Sequence, residues 1–320
     1  MPGIAIGNCI PFNRGGVDWS SYWATLISAT VENAAPTHVV LTFPVAQTSL
    51  TDADFTITGF TIASGSWTGA VLTLVLSTPV LIFHENLTIT FVKTGDTGTV
   101  TNNVADDGHT VAWYDSKDLT TITKDGSDFV SKWADKLGSG HDLLQATGTN
   151  QPKWVLNYGV LFDGHDNYLK TLTFVWNQPE MVYAVIKNIT WVAGKFMFDG
   201  LNVTNQINCS FNGVTPQFVT FAGTLDANLR NGDLPLDTFG IVRALYNGAN
   251  STNQVNNNAA KSGSLGSQNA SGFTIGSNVL PASYGNIQVK EVICRKSADN
   301  AATQKSIYNY LATKHGFATI

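Results

Sequence analysis

Charged residues are scarce in this sequence. They occupy 13% of the 320 positions and leave a formal net charge of −5, whereas a typical domain has about twice that share of charge. The 18 Lys and Arg residues are scattered along the chain, and only Arg14 and Lys93 occur in the first 112 residues. Because a nucleic-acid-binding surface needs concentrated positive charge, the sequence predicts no nucleic-acid partner.

Long apolar runs, a secretion signal and a cysteine framework are missing as well. No run approaches the length of a transmembrane helix, so we expect no membrane partner. The start of the chain lacks a basic n-region, and "GIAIG" is too short for a signal core, which predicts synthesis in the cytoplasm. The three cysteines, Cys9, Cys209 and Cys294, have neither disulfide nor zinc spacing, and the last two are predicted to be buried in strands.

What the sequence has instead is strand periodicity. Hydrophobic residues make up 43% of the chain, and they alternate with polar ones in short segments that end at Gly, Asp or Pro. Three such segments each place three apolar side chains on one face: Val39, Leu41 and Phe43; Leu72, Leu74 and Leu76; and Leu87, Ile89 and Phe91. This pattern predicts an all-β protein in which residues 27–100 form an antiparallel sandwich of immunoglobulin type.

The order of segments in this first domain also carries a family resemblance. The run "HVVLTFPVAQTSLTDADFTITGF" followed by "AVLTLVLSTPVLIFHENLTITF" resembles the bacterial Ig-like repeats of surface proteins. The next stretch, "DTGTVTNNVADDGHT", is poor in apolar residues. We therefore expect a linker at 101–110, between the Ig-like domain and a second domain.

Residues 111–320 contain an ordered set of weak motifs. They comprise Trp113 with Asp115, Trp133 with Asp135, Gln151 with Pro152, "FDG" at 162–164, and the closing segment "GNIQVKEVICRKS". In this order they resemble the concanavalin A-like (laminin-G-type) jelly-roll modules of bacterial and phage proteins. The resemblance implies a second β-sandwich. A helix should follow, with Asp299 as N-cap and Gly316 after its last turn, and in similar modules such a helix covers the sandwich.

Concanavalin A-like folds include glycoside hydrolases, which need two carboxylates about 5 to 9 Å apart on one face. The chain has only four Glu residues, Glu32, Glu85, Glu180 and Glu291, and no two lie within fifty positions of each other. The E-x-D-x-E arrangement of laminarinase-type relatives is absent. The sequence therefore predicts that the protein is not an enzyme.

A calcium ion is the cofactor that the resemblance allows, since laminin-G-type modules often hold calcium at a rim. The turn "FDGHDN" offers Asp163, Asp166 and Asn167 as ligands. One turn supplies about three of the six to eight oxygens that calcium requires, and the same residues also suit an ordinary hairpin turn. We expect no cofactor beyond this candidate for a structural calcium ion.

Sugar binding is the other candidate activity. Trp176 and Trp191 flank a predicted pair of strands, and either ring could support a sugar. The loop "NGANSTNQVNNN" adds Asn247 and Asn250, amides of the kind that bind sugar hydroxyls. Asn-rich hairpins also occur without any ligand, and most of the tryptophans fall at positions that suit core packing. These four residues are the sequence candidates for glycan binding.

The first residues are apolar without being a regular strand. Residues 1–26 include Ile10, Phe12, Trp19, Tyr22 and Trp23, more than a free tail would expose. The leader "IPFNRGGVDWSSYWATLISATVENAAPTHVVLTF" resembles the starts of virion structural proteins from tailed phages of gut Bacteroidetes, including the crAss-like group. We expect these five side chains to anchor the chain in a partner protein, although a segment folded back on its own domain is the alternative.

Together these resemblances predict a phage structural protein: a head fibre, a decoration protein or a tail-associated component. It would assemble in the host cytoplasm with other capsid or tail proteins as a homo-oligomer, and it would display its jelly roll on the virion surface for contact with host glycans. The alternative is a surface or secreted carbohydrate-binding protein of a bacterium. Low charge and abundant hydroxyl and amide groups suit either function.

Overall fold

The computed structural model describes residues 26–45, 50–84, 86–92, 95–104 and 106–320. These divide into two compact units. Unit 1 comprises the described residues up to Asp107 together with Asn300–Ile320, and unit 2 comprises Gly108–Asp299. The anchoring candidates Ile10, Phe12, Trp19, Tyr22 and Trp23 lie outside the described residues.

The described residues of unit 1 form seven strands. These are β1 (Ser28–Glu32), β2 (His38–Thr42), β3 (Phe55–Ile57), β4 (Ile62–Thr68), β5 (Val71–Leu76), β6 (Leu87–Phe91) and β7 (Thr97–Asn103). They pair in the order β3-β6-β7-β1-β2-β5-β4. Neighbours are antiparallel except for β1 and β7, which run parallel with Thr30 opposite Thr101.

The core of unit 1 follows the predicted alternation. The nine apolar residues that the sequence placed on inward faces are all at most 6% exposed. They are Val39, Leu41, Phe43, Leu72, Leu74, Leu76, Leu87, Ile89 and Phe91. Successive strand side chains point to opposite faces, so this alternation leaves one face of each strand to the core. The prediction of these strand faces is confirmed.

Unit 2 contains seventeen strands, mostly short. These are β8 (Thr110–Asp115), β9 (Ile122–Lys124), β10 (Val130–Trp133), β11 (Leu143–Leu144), β12 (Lys153–Val155), β13 (Gly159–Asp163), β14 (Leu169–Lys170), β15 (Glu180–Asn188), β16 (Phe196–Asp199), β17 (Asn208–Phe211), β18 (Phe218–Phe221), β19 (Leu225–Asn231), β20 (Gly240–Tyr246), β21 (Ser251–Val255), β22 (Lys261–Gly263), β23 (Thr274–Ile275) and β24 (Asn286–Arg295).

Two antiparallel sheets make up unit 2. One has nine strands in the order β19-β18-β17-β16-β23-β14-β11-β10-β9. The other has eight, in the order β12-β13-β24-β15-β20-β21-β22, with β8 also paired to β24. One continuous hydrophobic core contains side chains from both sheets, including Phe162, Trp133 and Phe198. With the strands of unit 1, this confirms the all-β class with sandwich architecture.

The repeated Trp-x-Asp motif holds the strands of unit 2 together. Asp135 Oδ1 accepts a hydrogen bond from the backbone N–H of Trp113 at 2.8 Å, and the Trp113 indole N–H donates to Glu291 Oε1 at 2.8 Å. Asp115 pairs with Lys136 at 3.3 Å. The motif therefore links β8 to the loop after β10 and to the closing strand β24.

The C-terminal helix, α1, spans Ala301–His315. It ends at Gly316, which has φ 80°, as the sequence predicted. Its N-cap is Asn300, whose side chain accepts from Thr303 N at 2.9 Å, so the prediction of Asp299 was wrong. Asp299 cannot cap the helix because the guanidinium of Arg295 holds both of its carboxylate oxygens.

The position of α1 also differs from the expectation. The resemblance predicted that this helix covers the second sandwich, but its contacts group it with unit 1. Ser306 donates a hydrogen bond to the carbonyl of Pro79, and the ring of Tyr310 lies 6.0 Å from that of Phe83. Among the described residues, no helix has the length and hydropathy needed to cross a membrane.

A pair of glycines tests how tightly the core of unit 2 is packed. Gly276 and Gly140 have nearly the same positive φ, 84° and 83°. A Cβ on Gly276 would lie 2.2 Å from Phe162 Cδ1, whereas a Cβ on Gly140 would meet nothing within 4 Å. We expect Gly140→Ala to cost about 1 kcal/mol of unfolding free energy, and Gly276→Ala about 3 kcal/mol or more because overlap adds to the same backbone strain.

Scanning calorimetry of the two variants measures this difference. Equal melting temperatures for Gly276→Ala and Gly140→Ala would contradict the tight packing of Phe162 against the turn at Gly276.

Candidate functional site

Trp176 does not form a sugar platform. Its side chain is fully buried in the core of unit 2, and its indole N–H donates to the carbonyl of Arg295 at 3.1 Å. Its ring contacts those of Phe174 and Phe273, at 6.0 and 6.1 Å between centroids. No ring face is left for a ligand, so this candidate is corrected to a core residue.

Trp191 is partly buried and lies at the surface of the same core. Its ring stacks on Phe211 at 4.5 Å, and its indole N–H donates to Asn212 O at 3.0 Å. Phe211 therefore occupies one face of the ring, and the indole N–H is already bonded within the protein. A ligand could therefore contact only the other face and the edge of the Trp191 ring.

The two asparagine candidates lie far from Trp191. Asn247 and Asn250 bracket a short turn after β20, where Asn247 N donates to Ser251 Oγ at 2.9 Å. In the β15–β20 pair, Glu180 lies opposite Tyr246, so Asn247 is near the start of β15, whereas Trp191 follows its end. At about 3.4 Å per residue, the nine-residue strand separates them by roughly 30 Å. The structure does not combine these residues into one site.

The calcium candidate is a self-contained turn. Asp163 Oδ1 accepts from His165 N at 2.8 Å, Asn167 Oδ1 accepts from Asp163 N at 3.2 Å, and Asn167 Nδ2 donates to Asp166 Oδ1 at 3.2 Å. Three of the oxygens that calcium would need thus already close the turn. In the part of the chain that the structure describes, no three His, Cys, Asp or Glu side chains group as metal ligands. The turn is a poor fit for calcium, and we assign it no metal.

Two buried carboxylates are more unusual than any residue that the sequence singled out. Glu180 and Asp199 have no exposed surface. Glu180 Oε1 accepts from Ala270 N at 2.7 Å, and Asp199 accepts from Gly200 N and Val279 N at 2.8 and 3.1 Å. Burial raises the pKa of Glu180 to about 8 and that of Asp199 to about 7. Since no solvent reaches either group, no substrate does so in this conformation.

A concave site lined by aromatic rings lies in unit 1, between the polypeptide around β6 and the last turns of α1. It is a pocket of about 250 Å³. Three rings line it, and the His84 ring lies between the others, 5.0 Å from Phe60 and 5.5 Å from Tyr310. Hydroxyl, amide and ammonium groups complete the lining, among them Thr58, Thr88 and Lys314. We call this site the aromatic pocket.

Hydrogen bonds fix the polar parts of the aromatic pocket. The backbone of Leu81 holds the His84 ring, because Leu81 N and Leu81 O lie 2.9 and 3.3 Å from His84 Nδ1. Burial lowers the pKa of His84 to about 4, so the ring is neutral at physiological pH. Lys314 Nζ donates to Tyr310 Oη at 2.8 Å, one turn along the helix. The pocket therefore combines neutral aromatic surface with one cation at its side.

Sequence reasoning missed this pocket. Its lining comes from three segments, around Phe60, His84 and Tyr310, that are far apart in the chain. No spacing rule connects a strand-end His to a helical Tyr more than two hundred positions later, so only the fold reveals the group.

Comparison with known proteins gives resemblances of fold. No family model matches the chain, and no curated protein matches it. Solved structures that resemble it include a Trypanosoma rangeli sialidase in complex with sialic acid, at 14% identity and a TM-score of 0.47, covering 78% of this chain and 42% of the sialidase. Others are domain 4 of AbnA, a GH43 extracellular arabinanase from Geobacillus stearothermophilus, in complex with arabinotriose (13%, TM-score 0.39, 63% and 98%), and a mutant GH54 α-L-arabinofuranosidase (12%, TM-score 0.44, 69% and 57%).

These neighbours correct one prediction. The sequence predicted that the protein is not an enzyme, but glycosidases are among the structures that this chain resembles, so that prediction was wrong and is withdrawn. The chain spans less than half of the sialidase. At 12–14% identity and TM-scores below 0.5, the likeness assigns no activity, substrate or catalytic residue to this chain.

The buried carboxylates generate a pH prediction. Between about pH 4.5 and 8, folded unit 2 keeps a proton on Glu180 that the unfolded chain releases, so the stability present below pH 4.5 declines as the pH rises. Asp199 acts in the same direction up to about pH 7. Glu180→Gln cannot ionise and retains an acceptor for Ala270 N. We expect its melting temperature to fall less than that of the wild type between pH 5 and 8.

Calorimetry at several pH values measures this effect, with Asp163→Asn, which changes an exposed carboxylate, as the control. Identical pH profiles for the wild type and Glu180→Gln would show that the Glu180 carboxyl is ionised in the folded protein.

Proposed function

We propose that this protein is a structural component of a tailed-phage particle that binds glycans on the host surface through the aromatic pocket of unit 1. The observation that carries the binding function is the group of Phe60, His84 and Tyr310 in one cavity of about 250 Å³. The particle assignment is supported by the resemblance of the leader sequence. The virion surface is then its location, after assembly in the host cytoplasm.

The chemistry of the aromatic pocket suits a sugar ring. Sugars present C–H faces, which pack against aromatic rings, and hydroxyls, which exchange hydrogen bonds with amide, hydroxyl and ammonium groups. Both kinds of group line this cavity. Its volume is below the roughly 300–1,000 Å³ of sites that hold drug-sized ligands, which favours one sugar unit over a long oligosaccharide.

A single pocket of this size binds weakly, and repetition on a particle compensates. Each additional engaged copy converts the next binding event into an intramolecular one, so avidity exceeds the affinity of one site by orders of magnitude. A homo-oligomer anchored to capsid or tail proteins by the residues 1–26 would provide that repetition. The low overall charge of the chain suits adhesion that does not depend on strong electrostatic attraction.

The pocket assignment predicts a specific loss of binding. A glycan array identifies a bound sugar, and its affinity is then measured by calorimetric titration of the variant Phe60→Ala. We expect the affinity to fall at least tenfold because one of the three rings is removed. Phe129→Ala is the control, since Phe129 is a partly exposed ring in unit 2. Unchanged melting temperatures exclude loss of folding as the cause.

Two results would contradict the pocket assignment. One is a glycan that binds Phe60→Ala as tightly as the wild type, which places its site elsewhere. The other is an array on which the full chain binds no sugar at all.

The particle assignment predicts incorporation that depends on the apolar leader. In the full chain, Trp19→Ser with Trp23→Ser should leave the melting transitions unchanged and reduce the amount of protein in purified particles at least tenfold, measured by quantitative immunoblot. Wild-type protein that is absent from particles, or a gene situated in a polysaccharide-utilisation cluster, would instead support a bacterial carbohydrate-binding protein.

A further inference from the structure

Three lysines converge on one surface of unit 2, although the lysines are scattered in the sequence. Lys290 Nζ lies 4.2 Å from the centre of the Phe239 ring, and Lys187 Nζ lies 5.2 Å from the same centre. Lys117 interacts electrostatically with Lys290. The ring of Tyr158, 53% exposed, is 5.9 Å from Lys187 Nζ. We call this group the lysine cluster.

The fold fixes the members of the lysine cluster. Lys290 belongs to an irregularity in the β15–β24 ladder, where the register shifts between Val185 and Ile186. Such a bulge redirects a side chain relative to the regular strand. Ser116 N donates to Lys290 O at 2.9 Å, which holds the adjacent Lys117 beside the bulge. Lys187 lies on β15, near the end of the loop that contains Phe239.

Charges of one sign are held together here at a cost. Burial lowers the pKa of Lys290, and the neighbouring Lys117 and Lys187 lower it further. The ring of Phe239 offsets part of the repulsion because its face attracts cations. An anion placed among the three ammonium groups would offset far more of it.

The cluster already contacts one carboxylate. Asp237 Oδ1 lies 2.8 Å from Lys187 Nζ, and the Asp237 side chain is 72% exposed. The Lys187 side chain is 13% exposed, so the charge that is open to solvent and free to move away is the Asp237 carboxylate, and an anion held by several ammonium groups would compete with it. The pair shows that a carboxylate reaches hydrogen-bonding distance of the cluster.

We propose that Lys117, Lys187 and Lys290 form an anion-binding site for the carboxylate or sulfate group of an acidic sugar, whose ring packs beside Tyr158. The naming of a sugar rests on the proposed glycan-binding function, whereas the anion site rests only on the geometry of the cluster. This site is separate from the aromatic pocket, which belongs to unit 1 and offers mainly neutral groups.

The test is a titration of the full chain, followed by NMR of its lysine and backbone signals, with glucuronate as probe and glucose as its neutral counterpart. We expect glucuronate to shift signals of the cluster, to bind more weakly as salt is added, and to bind Lys290→Met at least tenfold more weakly. Glucose should not shift them. Methionine keeps an apolar chain over Phe239 and removes the charge.

Lys153→Met is the matched control, because Lys153 also lies over an aromatic ring, Phe129, at 5.8 Å. It should bind glucuronate within twofold of the wild type. Lys117→Met, at an exposed position, provides a second variant in case Lys290→Met alters folding. Unchanged glucuronate affinity in both cluster variants would overturn the proposal.

Inorganic sulfate distinguishes a free inorganic anion from an acidic sugar as the ligand of the lysine cluster. If sulfate binds the lysine cluster as tightly as glucuronate does, the sugar ring contributes nothing to the affinity. That result would contradict an acidic sugar as the ligand. The proposal for the aromatic pocket is tested by a different variant, Phe60→Ala. This variant should leave the affinity of the lysine cluster for glucuronate unchanged, so the two proposals can fail independently.

Discussion

Unit 2 depends on one buried ion pair at the end of its closing strand. The guanidinium of Arg295, 1% exposed, donates to both carboxylate oxygens of Asp299 at 2.8 and 2.9 Å and to Thr110 Oγ1 at 3.0 Å. Asp299 also accepts from the Tyr183 hydroxyl at 2.8 Å. These bonds join β8, β15 and the end of β24. Loss of one partner would leave a buried charge uncompensated, which typically costs about 3–5 kcal/mol.

Local periodicity made much of the fold predictable from the sequence. The burial of Val39, Leu41 and Phe43 follows from the two faces of a strand, one of which is turned to the core. Cys209 and Cys294 also lie in strands and are fully buried, as expected. The helix end at Gly316 follows from the backbone freedom of glycine. Its start did not follow, because Arg295, four residues before the expected cap Asp299, binds the Asp299 carboxylate.

The candidate sites were much less predictable, because they depend on distances between remote residues. The sequence around Trp176 does not distinguish a buried tryptophan from an exposed one. Only the side chains that pack around it in the fold show that it is buried. Lys187 and Lys290 are about a hundred positions apart and face one ring because β15 and β24 are neighbours. The Lys and Arg residues are scattered along the chain, but the fold brings Lys117, Lys187 and Lys290 together at one surface.

The parallel pairing of β1 and β7 has a mechanical consequence. These strands are the first and the last of unit 1 in the described chain, and they lie side by side in the same direction. A force applied between the beginning of β1 and the end of β7 therefore pulls the two strands past each other in shear. The hydrogen bonds between them carry the load together, whereas a hairpin pulled at its open end breaks one bond after another. Unit 1 is built to resist stretching along its chain.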